Sequence, residues 1–293
     1  MISIIIASVK EDLLANVSQN IRDTIGVEFE IISFDNANGK YGLCELYNIG
    51  AQRAKFDHLC FMHEDIKMKT KDWGKVVLEH FSNCPKLGVL GVAGSTYKSS
   101  APSGWGIGNE PNTELYNYLQ SFKEENKPSI HAYLNRTKVK LQNVATVDGM
   151  WFCTTKKIAL RHGFDEKLFR GFHCYDLDFC LNVGRAFDIS VTFNILMEHF
   201  SEGGYNKQWF IETLKFQEKW QYMLPKSVAT ISNRTKRTIE KRAYLILFER
   251  LINLGFEKEY IRKFLKFDKR NTNMNLWLYI KLKYYLTRLC YKQ

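Results

Sequence analysis

Short apolar runs and longer segments with helical spacing alternate along the first 66 residues. The runs Ile2–Ser8, Phe29–Phe34 and Leu59–Met62 are nearly continuous in apolar residues, whereas Glu11–Ile25 and Leu43–Ala54 repeat apolar residues with the period of a helix. The first kind is typical of buried strands and the second of helices that cover them. The resulting order β-α-β-α-β predicts a parallel sheet with right-handed crossovers.

The alternation continues less regularly as far as residue 222. Between Gly94 and Gln142 the periodicity weakens and glycine and proline become frequent, which predicts a long loop-rich insertion. The other segments keep a helix or strand pattern, with helices expected over 70–85, 158–162, 172–187 and 209–222 and strands over 87–93, 144–154 and 189–197. We therefore predict an α/β fold in which helices flank a mostly parallel sheet.

The last part of the chain has a different pattern and a different charge. Residues 225–293 contain two helical runs, Ile239–Leu254 and Leu276–Leu289, in which Lys and Arg are interleaved with aromatic and aliphatic residues. This part has 17 basic and 5 acidic residues, whereas the other 224 residues have 25 and 26, so the tail accounts for the net charge of +11. We divide the chain into an α/β domain, residues 1–224, and a basic amphipathic helical extension, residues 225–293.

The basic extension has two interpretations. A basic amphipathic helix is typical of proteins that lie on an anionic membrane surface, but an ordinary helical extension can also carry a solvated basic face. Nucleic acid is not expected as a partner, because no recognised binding motif is present and the aromatic residues have core-like spacing.

Composition indicates a globular protein of a reducing compartment. The chain is 45% apolar and 14% aromatic, which suits a sizeable core. Its seven cysteines are scattered and include no C-x-x-C pair, which argues against a disulfide framework or a structural zinc site. The apolar N-terminus is too short for a signal peptide. The sequence contains no run of 18 apolar residues, so we expect no transmembrane helix. We expect a cytoplasmic protein. If the basic helices of the tail lie on an anionic membrane surface, we expect it to attach peripherally to the inner face of the cytoplasmic membrane.

Charged residues collect where the predicted strands end. His63, Glu64 and Asp65 follow the third strand, and His199 follows the last one. Open α/β sheets bind ligands at this edge, and oxygen ligands held there suit a hard divalent cation and hence a diphosphate. The alternative is that these are ordinary solvated residues at strand ends. Neither G-x-G-x-x-G nor a P-loop motif occurs, which disfavours dinucleotide and P-loop sites.

Other candidate residues each have a plain structural alternative. Asp35 ends the second strand near Ser8 and is suited to a ribose or a base N–H, but it also fits a turn cap. Asp176 and Asp178 open a predicted helix, where acids are favoured by the helix dipole, and residues two apart point to different sides, so one of them is expected to face a pocket. Trp105, among glycines, suits either a sugar ring or a small core.

Together these segments resemble the glycosyltransferase-family-2-like enzymes of the nucleotide-diphospho-sugar (GT-A) fold, in particular a bacterial branch with a His-x-Asp form of the acidic signature. The resemblance covers about residues 1–210. It rests on the order and spacing of nine motifs: Ile4–Ser8, Tyr47–Ala51, Phe61–Ile66, Gly91–Ser95, Gly104–Gly106, Val147–Gly149, Gly163–Glu166, Gly171–Asp178 and His199–Ser201.

The resemblance implies a role for each matching residue. Asp65 matches the acid that binds the metal, Mn²⁺ or Mg²⁺, on the donor diphosphate, and His199 matches a histidine that often completes that site. Asp35 matches the acid that contacts the nucleoside. Asp176 matches the catalytic base of inverting members, and Tyr175 stands where many relatives have Glu. The predicted nucleotide-sugar site also includes Ser8, His63, Glu64, Trp105, Asp148, Gly149 and Asp178.

The implied function is inverting sugar transfer from a nucleotide-diphosphate donor to a hydroxyl of a glycan or lipid-linked acceptor, in bacterial surface polysaccharide or glycolipid synthesis. Two alternatives stay open. One is a nucleotide-sugar-binding protein without catalysis, which the replacement of the first acid by His63 favours. The other is a metal-dependent hydrolase or nucleotidyltransferase that uses the same sheet edge. The sequence predicts no oligomeric state.

Overall fold

The structure, a computed structural model, describes residues 1–108, 110–122, 127–201, 203–265 and 274–291. The strands and helices predicted through residue 91 are present, with one further short strand at residues 66–68, and the two helical runs of the tail are present. In chain order the elements are β1 (Ile2–Ser8), α1 (Glu11–Thr24), β2 (Phe29–Asp35), α2 (Leu43–Arg53), β3 (His58–Met62), β4 (Ile66–Met68), α3 (Trp73–Asn83), β5 (Leu87–Gly91), β6 (Ala93–Ser95), β7 (Tyr97–Lys98), β8 (Glu114–Gln120), β9 (Ile130–Leu134), β10 (Leu141–Val144), β11 (Thr146–Val147), β12 (Trp151–Thr155), α4 (Lys156–His162), α5 (Tyr175–Val183), β13 (Asp188–Thr192), β14 (Met197–His199), α6 (Lys207–Trp220), β15 (Lys226–Ser227), α7 (Asn233–Asn253), α8 (Lys258–Arg262) and α9 (Leu276–Tyr291).

The large sheet has the strand order β10-β13-β5-β12-β3-β1-β2. Strand β1 pairs in parallel with β2 and β3, and β13 pairs in parallel with β5, whereas β12 is antiparallel to both β3 and β5. Only β10 and β12 run against the other five strands, so the predicted mostly parallel sheet is confirmed. Ile2, Ile4, Ile5 and Ile6 are fully buried, because helices cover both faces of the sheet.

A second sheet occupies the region that the sequence predicts to be loop-rich. It has the order β11-β6-β8-β14-β4, with β9 paired to β8. The expectation of a loop-rich insertion over 94–142 is wrong, because β7, β8 and β9, most of β6 and half of β10 lie there. These strands are short, and several pair across long stretches of sequence, so local periodicity does not identify them.

Five connections of at most four residues join the large sheet to the second sheet. They are β3 to β4, β5 to β6, β10 to β11, β11 to β12 and β13 to β14. The strands predicted over 144–154 and 189–197 are therefore each broken in two. The breaks at His63–Asp65 and at Asp148–Gly149 expose polar groups at the line where the two sheets meet. This line determines where the candidate site forms.

The C-terminal extension packs against the insertion. Helices α7, α8 and α9 share a buried apolar cluster with Tyr97, Ile107 and Phe210. The Tyr97 hydroxyl donates a hydrogen bond of 2.8 Å to the buried Glu240 of α7, and strand β15 pairs with β7. The predicted helical extension is thus confirmed as an element of the fold. Among the described residues, none of the helices is both long and apolar enough to cross a bilayer.

Candidate active site

A cavity of about 220 Å³ lies where the two sheets meet. Four separate elements supply its polar wall: the end of β3, the break between β11 and β12, the beginning of α5 and the end of β14. Residues that are far apart in the sequence therefore share one space, as the ends of strands at one sheet edge are expected to do. The predicted site residues that line it are His63, Asp65, Trp105, Asp148, Gly149, Asp176 and His199.

One side of the cavity is a cluster of two imidazoles and a carboxylate. Asp65 Oδ1 lies 3.9 Å from His63 Nδ1 and 3.8 Å from His199 Nε2, and the three candidate ligand atoms lie within 4.8 Å of one another. Asp65 Oδ1 is buried and has no hydrogen-bond partner among the described residues. A buried carboxylate oxygen without a partner is costly, and ligands about 2.1 Å from a shared cation lie roughly 3 to 4 Å apart. The residues present therefore fit a divalent cation.

A hydrogen-bond chain fixes the protonation of His63. His63 Nε2 lies 2.7 Å from the hydroxyl of Tyr175, which donates to the carbonyl oxygen of Gly149 at 3.0 Å. Because the hydroxyl has one proton and gives it to Gly149, it accepts from His63 Nε2–H. The lone pair of His63 is then on Nδ1, which faces Asp65. Burial lowers the pKa of His63, which keeps the ring neutral and able to bind a cation.

The absence of a side chain at Gly149 allows these hydrogen bonds to form. A Cβ atom at this position would lie 2.2 Å from the Tyr175 hydroxyl, so no other residue leaves room for the ring. Tyr175 is itself buried and packs edge-on against Tyr47, with ring centroids 5.4 Å apart. The tyrosine that replaces the family's usual Glu thus serves as a fixed support for His63.

Asp176 provides a separate carboxylate in the wall of the same cavity. It lies in the first turn of α5 and is partly buried. Burial, together with repulsion from Asp148, raises the pKa of Asp176 to about 7, although nearby backbone N–H groups favour its charged form. Asp148 is held in place because its Oδ1 accepts from the N–H of Met150 at 2.7 Å. A carboxylate with a pKa near neutrality is suited to accept a proton and release it again.

The structure does not bring four predicted residues into this cavity. Asp178 is buried outside it, where its carboxylate accepts from Lys219 Nζ and, at 2.7 Å, from Trp220 Nε1. Glu64 points away from its two neighbours in sequence, and its carboxylate accepts from the Ser8 hydroxyl and the N–H of Val9.

The Ser8 hydroxyl is therefore already hydrogen-bonded to Glu64. Asp35 is exposed, and its Oδ1 accepts a hydrogen bond of 3.0 Å from the N–H of Ala37. Asp35 still lies directly beside Ser8 in the register of β1 and β2, at the same edge of the sheet. Asp178 and Glu64 therefore stabilise the fold, because each carboxylate accepts hydrogen bonds from neighbouring residues outside the cavity. For Asp178 this agrees with the expectation that only one acid of the pair faces a pocket.

Several cavity residues were not predicted as site residues. No sequence signal assigns a site role to Tyr175 or to the exposed Phe172, whose ring centroid lies 5.3 Å from that of His63. A second cavity of about 150 Å³ shares Gly104, Trp105 and Tyr205 with the first. Its other aromatic residues, Tyr116 and Tyr118, alternate along β8, and this period of two was the signal available in the sequence.

Comparison with known proteins gives a consistent result. The model of the Glycosyltransferase like family matches residues 3–223. A crystal structure of GalNAc-T7 with UDP, GalNAc and Mn²⁺ is similar over 90% of this chain at 10% identity, with a TM-score of 0.51. This chain spans 56% of that structure, a little over half its length. S. aureus TarS 1–349 in complex with UDP-GlcNAc is similar over 90% of this chain and 70% of its own, at 11% identity and a TM-score of 0.43. No curated protein matches the sequence significantly.

Proposed function

The chain belongs to the Glycosyltransferase like family, and from this premise we propose that it transfers a sugar from a nucleotide-diphospho-sugar to a hydroxyl group of an acceptor. The observation that carries the proposal is the pairing of two groups in one cavity: the cluster His63, Asp65 and His199, and the separate carboxylate of Asp176. GalNAc-T7, which shares the fold, was solved with UDP, GalNAc and Mn²⁺. This supports a nucleotide donor and a cation for the present chain.

The first group is suited to hold Mn²⁺ or Mg²⁺. A bound divalent cation supplies positive charge that stabilises a leaving diphosphate without proton transfer. Two imidazoles and one carboxylate favour Mn²⁺ over Mg²⁺, which prefers oxygen ligands. His63 therefore keeps a function in the ligand set although it replaces an acid. The alternative of a binding protein without catalysis depends on that replacement, so under this proposal it loses its main support.

The second group performs the proton transfer. Asp176 accepts the proton of the acceptor hydroxyl while that oxygen attacks the anomeric carbon, and a positioned base of this kind contributes about 10²–10⁴ in rate. The base and the cation cluster lie in one cavity but belong to different groups of residues. We propose that the acceptor oxygen attacks from the face opposite the diphosphate, which inverts the configuration at the anomeric carbon. Asp65 lies between two imidazoles, whereas Asp176, whose pKa is raised to about 7, can take up a proton.

A binding screen followed by a turnover assay tests the function. Thermal unfolding of the full chain is measured with UDP-, GDP-, CMP- and dTDP-sugars, with and without Mn²⁺. We expect one nucleotide class to raise the unfolding temperature in the presence of Mn²⁺. Release of the free nucleoside diphosphate is then followed with that donor. If none of the nucleotide sugars stabilises the protein in either condition, the proposed function is wrong.

For the extension we propose contact with an anionic membrane surface through α9, consistent with a lipid-linked acceptor. Its inner face, Leu278, Leu282 and Leu286, is buried against the rest of the extension. Its outer face is apolar at Trp277, Ile280 and Tyr284, which are 65%, 53% and 65% exposed. Cations accompany these rings, with Lys281 Nζ 3.1 Å from the Trp277 ring and Arg288 5.9 Å from the Tyr284 ring. An exposed aromatic face with basic neighbours suits the interface of an anionic bilayer.

A further inference from the structure

The second cavity has an aromatic wall built by one strand. Along β8, residues that are two apart lie on the same face of the sheet, which places Glu114, Tyr116 and Tyr118 together. Trp105 adds its ring from the glycine-rich loop, with its centroid 6.5 Å from that of Tyr116, and the Tyr116 and Tyr118 centroids are 6.0 Å apart. The rings meet at angles of 74° and 60°, so they form an uneven aromatic wall and do not fill the space by stacking.

The space in front of these rings is kept open by small or fixed neighbours. The residue opposite Tyr118 on β9 is Ala132, which leaves room above the tyrosine ring. Tyr205 closes the outer edge and is 51% exposed. The guanidinium of Arg250 lies 3.4 Å from its ring centroid and supports it from the extension.

The glycine-rich loop is held as a wall of the same cavity. Glu114 is buried, and its Oε1 accepts from the N–H of Ile107 at 2.8 Å. A Cβ atom at position 106 would lie 2.5 Å from that oxygen, so Gly106 lets the carboxylate reach the loop. From α7, Arg242 donates to the carbonyl of Gly108 and pairs with Glu110 at 3.2 Å. The loop is thus held by β8 on one side and by α7 on the other before any ligand binds. This lowers the conformational entropy that is lost on binding.

The chemistry of the lining selects the ligand class. Aromatic rings pack on the C–H faces of a sugar ring, and the hydroxyls of Tyr116, Tyr118 and Tyr205 offer hydrogen bonds to its hydroxyls. Among the described residues, no lysine or arginine lines the cavity and the one charged lining residue is Glu114, which disfavours a phosphate or another anion. A purely apolar ligand such as an acyl chain would leave these polar groups without partners.

We propose that this cavity binds a neutral pyranose ring of the acceptor, so that the acceptor is a glycan whose sugar is presented to Asp176. The inference rests on the proposed function, because the shared residues Gly104, Trp105 and Tyr205 make this cavity an extension of the one that holds Asp176. Trp105 then lies between the donor side and the acceptor side. Under this proposal, the sugar that it contacts is that of the acceptor.

The test is direct binding of simple sugars. Saturation-transfer NMR is recorded on the full chain with Mn²⁺ and UDP, using methyl glycosides of glucose, galactose and N-acetylglucosamine and the corresponding disaccharides. We expect at least one sugar to bind the wild type and Tyr118→Ala to weaken it about tenfold or more. Tyr118→Phe should retain most of the binding, since it keeps the ring.

Tyr133→Ala is the matched control. Tyr133 pairs with Asn117, so it lies on the same hairpin as Tyr118 but on the opposite face of the sheet. This variant should bind the sugar as the wild type does. Calorimetry with UDP and Mn²⁺ in parallel shows that each variant is folded and measures the donor site separately.

The outcomes separate the two proposals. The inference is overturned if none of the sugars binds the wild type, or if Tyr118→Ala binds as tightly as the wild type or Tyr133→Ala loses the same affinity. If none of the UDP-, GDP-, CMP- and dTDP-sugars binds while a sugar binds with the expected dependence on Tyr118, the sugar site stands and the proposed transfer reaction fails.

Discussion

The two carboxylates of the candidate active site, Asp65 and Asp176, are chemically identical but lie in opposite surroundings. Asp65 is placed between His63 and His199, with one buried oxygen that has no partner among the described residues. Asp176 lies at the beginning of a helix near another acid, and its pKa is raised to about 7, mainly by burial. The difference shows that neighbours, and not residue type, decide which acid faces a candidate cation site and which one is suited to exchange a proton. The predictions below test this division, beginning with the largest effect.

The first prediction concerns the base side. Asp176→Asn removes the proton acceptor but keeps the size of the side chain, so we expect turnover to fall by about 10²–10⁴ while donor affinity stays within about threefold. Release of nucleoside diphosphate and calorimetry measure the two quantities. Wild-type turnover in this variant would refute the assignment.

Asp178→Asn is the matched control for that variant, because it changes the next acid on the same helix but outside the cavity. We expect this substitution to lower thermal stability through the loss of the ion pair with Lys219, without changing turnover of the folded protein. A loss of turnover equal to that of Asp176→Asn would mean that the two acids are not functionally distinct.

The second prediction concerns the cation side. Asp65→Ala removes the central ligand, and we expect Mn²⁺-dependent nucleotide affinity to fall by about 100-fold. Titration calorimetry with UDP, with and without Mn²⁺, measures the loss. Glu64→Gln, at the adjacent position but turned toward Ser8, should leave the Mn²⁺ dependence unchanged. Equal affinity in wild type and Asp65→Ala would remove Asp65 from the cation site.

The third prediction tests the support beneath His63. Tyr175→Phe removes the hydroxyl that accepts from His63 Nε2, so the imidazole loses the hydrogen bond that directs its lone pair toward Asp65. We expect about tenfold weaker Mn²⁺ affinity and a recovery of turnover when Mn²⁺ is saturating. Electron paramagnetic resonance of bound Mn²⁺ gives the affinity directly. Turnover that stays low at saturating Mn²⁺ would assign Tyr175 to the base side instead.

The fourth prediction is a pH dependence. Asp176 acts only when unprotonated, so transfer should fall about tenfold per pH unit below a midpoint near 7 and level off above it. The same raised pKa means that the folded state holds this proton where the unfolded state has lost it, so the contribution of Asp176 to stability decreases as pH rises toward 7.

Chemical denaturation checks the sign of this effect. Asp176→Asn cannot ionise, so above pH 7 it should be more stable than the wild type by about 3–4 kcal/mol, with the gap narrowing as pH is lowered. A wild type whose stability rises toward pH 8 relative to this variant would contradict the raised pKa.

The smallest expected effect lies far from both carboxylates. The double substitution Trp277→Ala and Tyr284→Ala should weaken sedimentation with phosphatidylglycerol vesicles several-fold and leave turnover on a water-soluble acceptor unchanged. Tyr222→Ala, which removes an aromatic residue that is 74% exposed outside α9, is the control. Equal sedimentation of all three proteins would reject contact between α9 and the membrane.

The local pattern of the sequence determined much of the first half of the fold. Elements β1 to α2 were predicted within about two residues, because a strand buried on both faces and an amphipathic helix each leave a local periodicity. The charge at the end of β3 also marks the edge of the sheet at which the cavity lies. The resemblance supplies the expected role of Asp176 as a base, which no local pattern specifies.

Only the tertiary structure decided the second sheet and the division of the acids. Strand β14 pairs with β8 across almost 80 residues, and no local period records such a pairing. Glu64 and Asp65 are adjacent in the sequence, yet one is satisfied by the β1–α1 loop and the other faces two imidazoles, since neighbours at a strand end point to opposite sides. The sequence determined which groups were available. Long-range packing decided which of them meet, because burial and partners, and hence pKa and cation binding, exist only once distant segments are in contact.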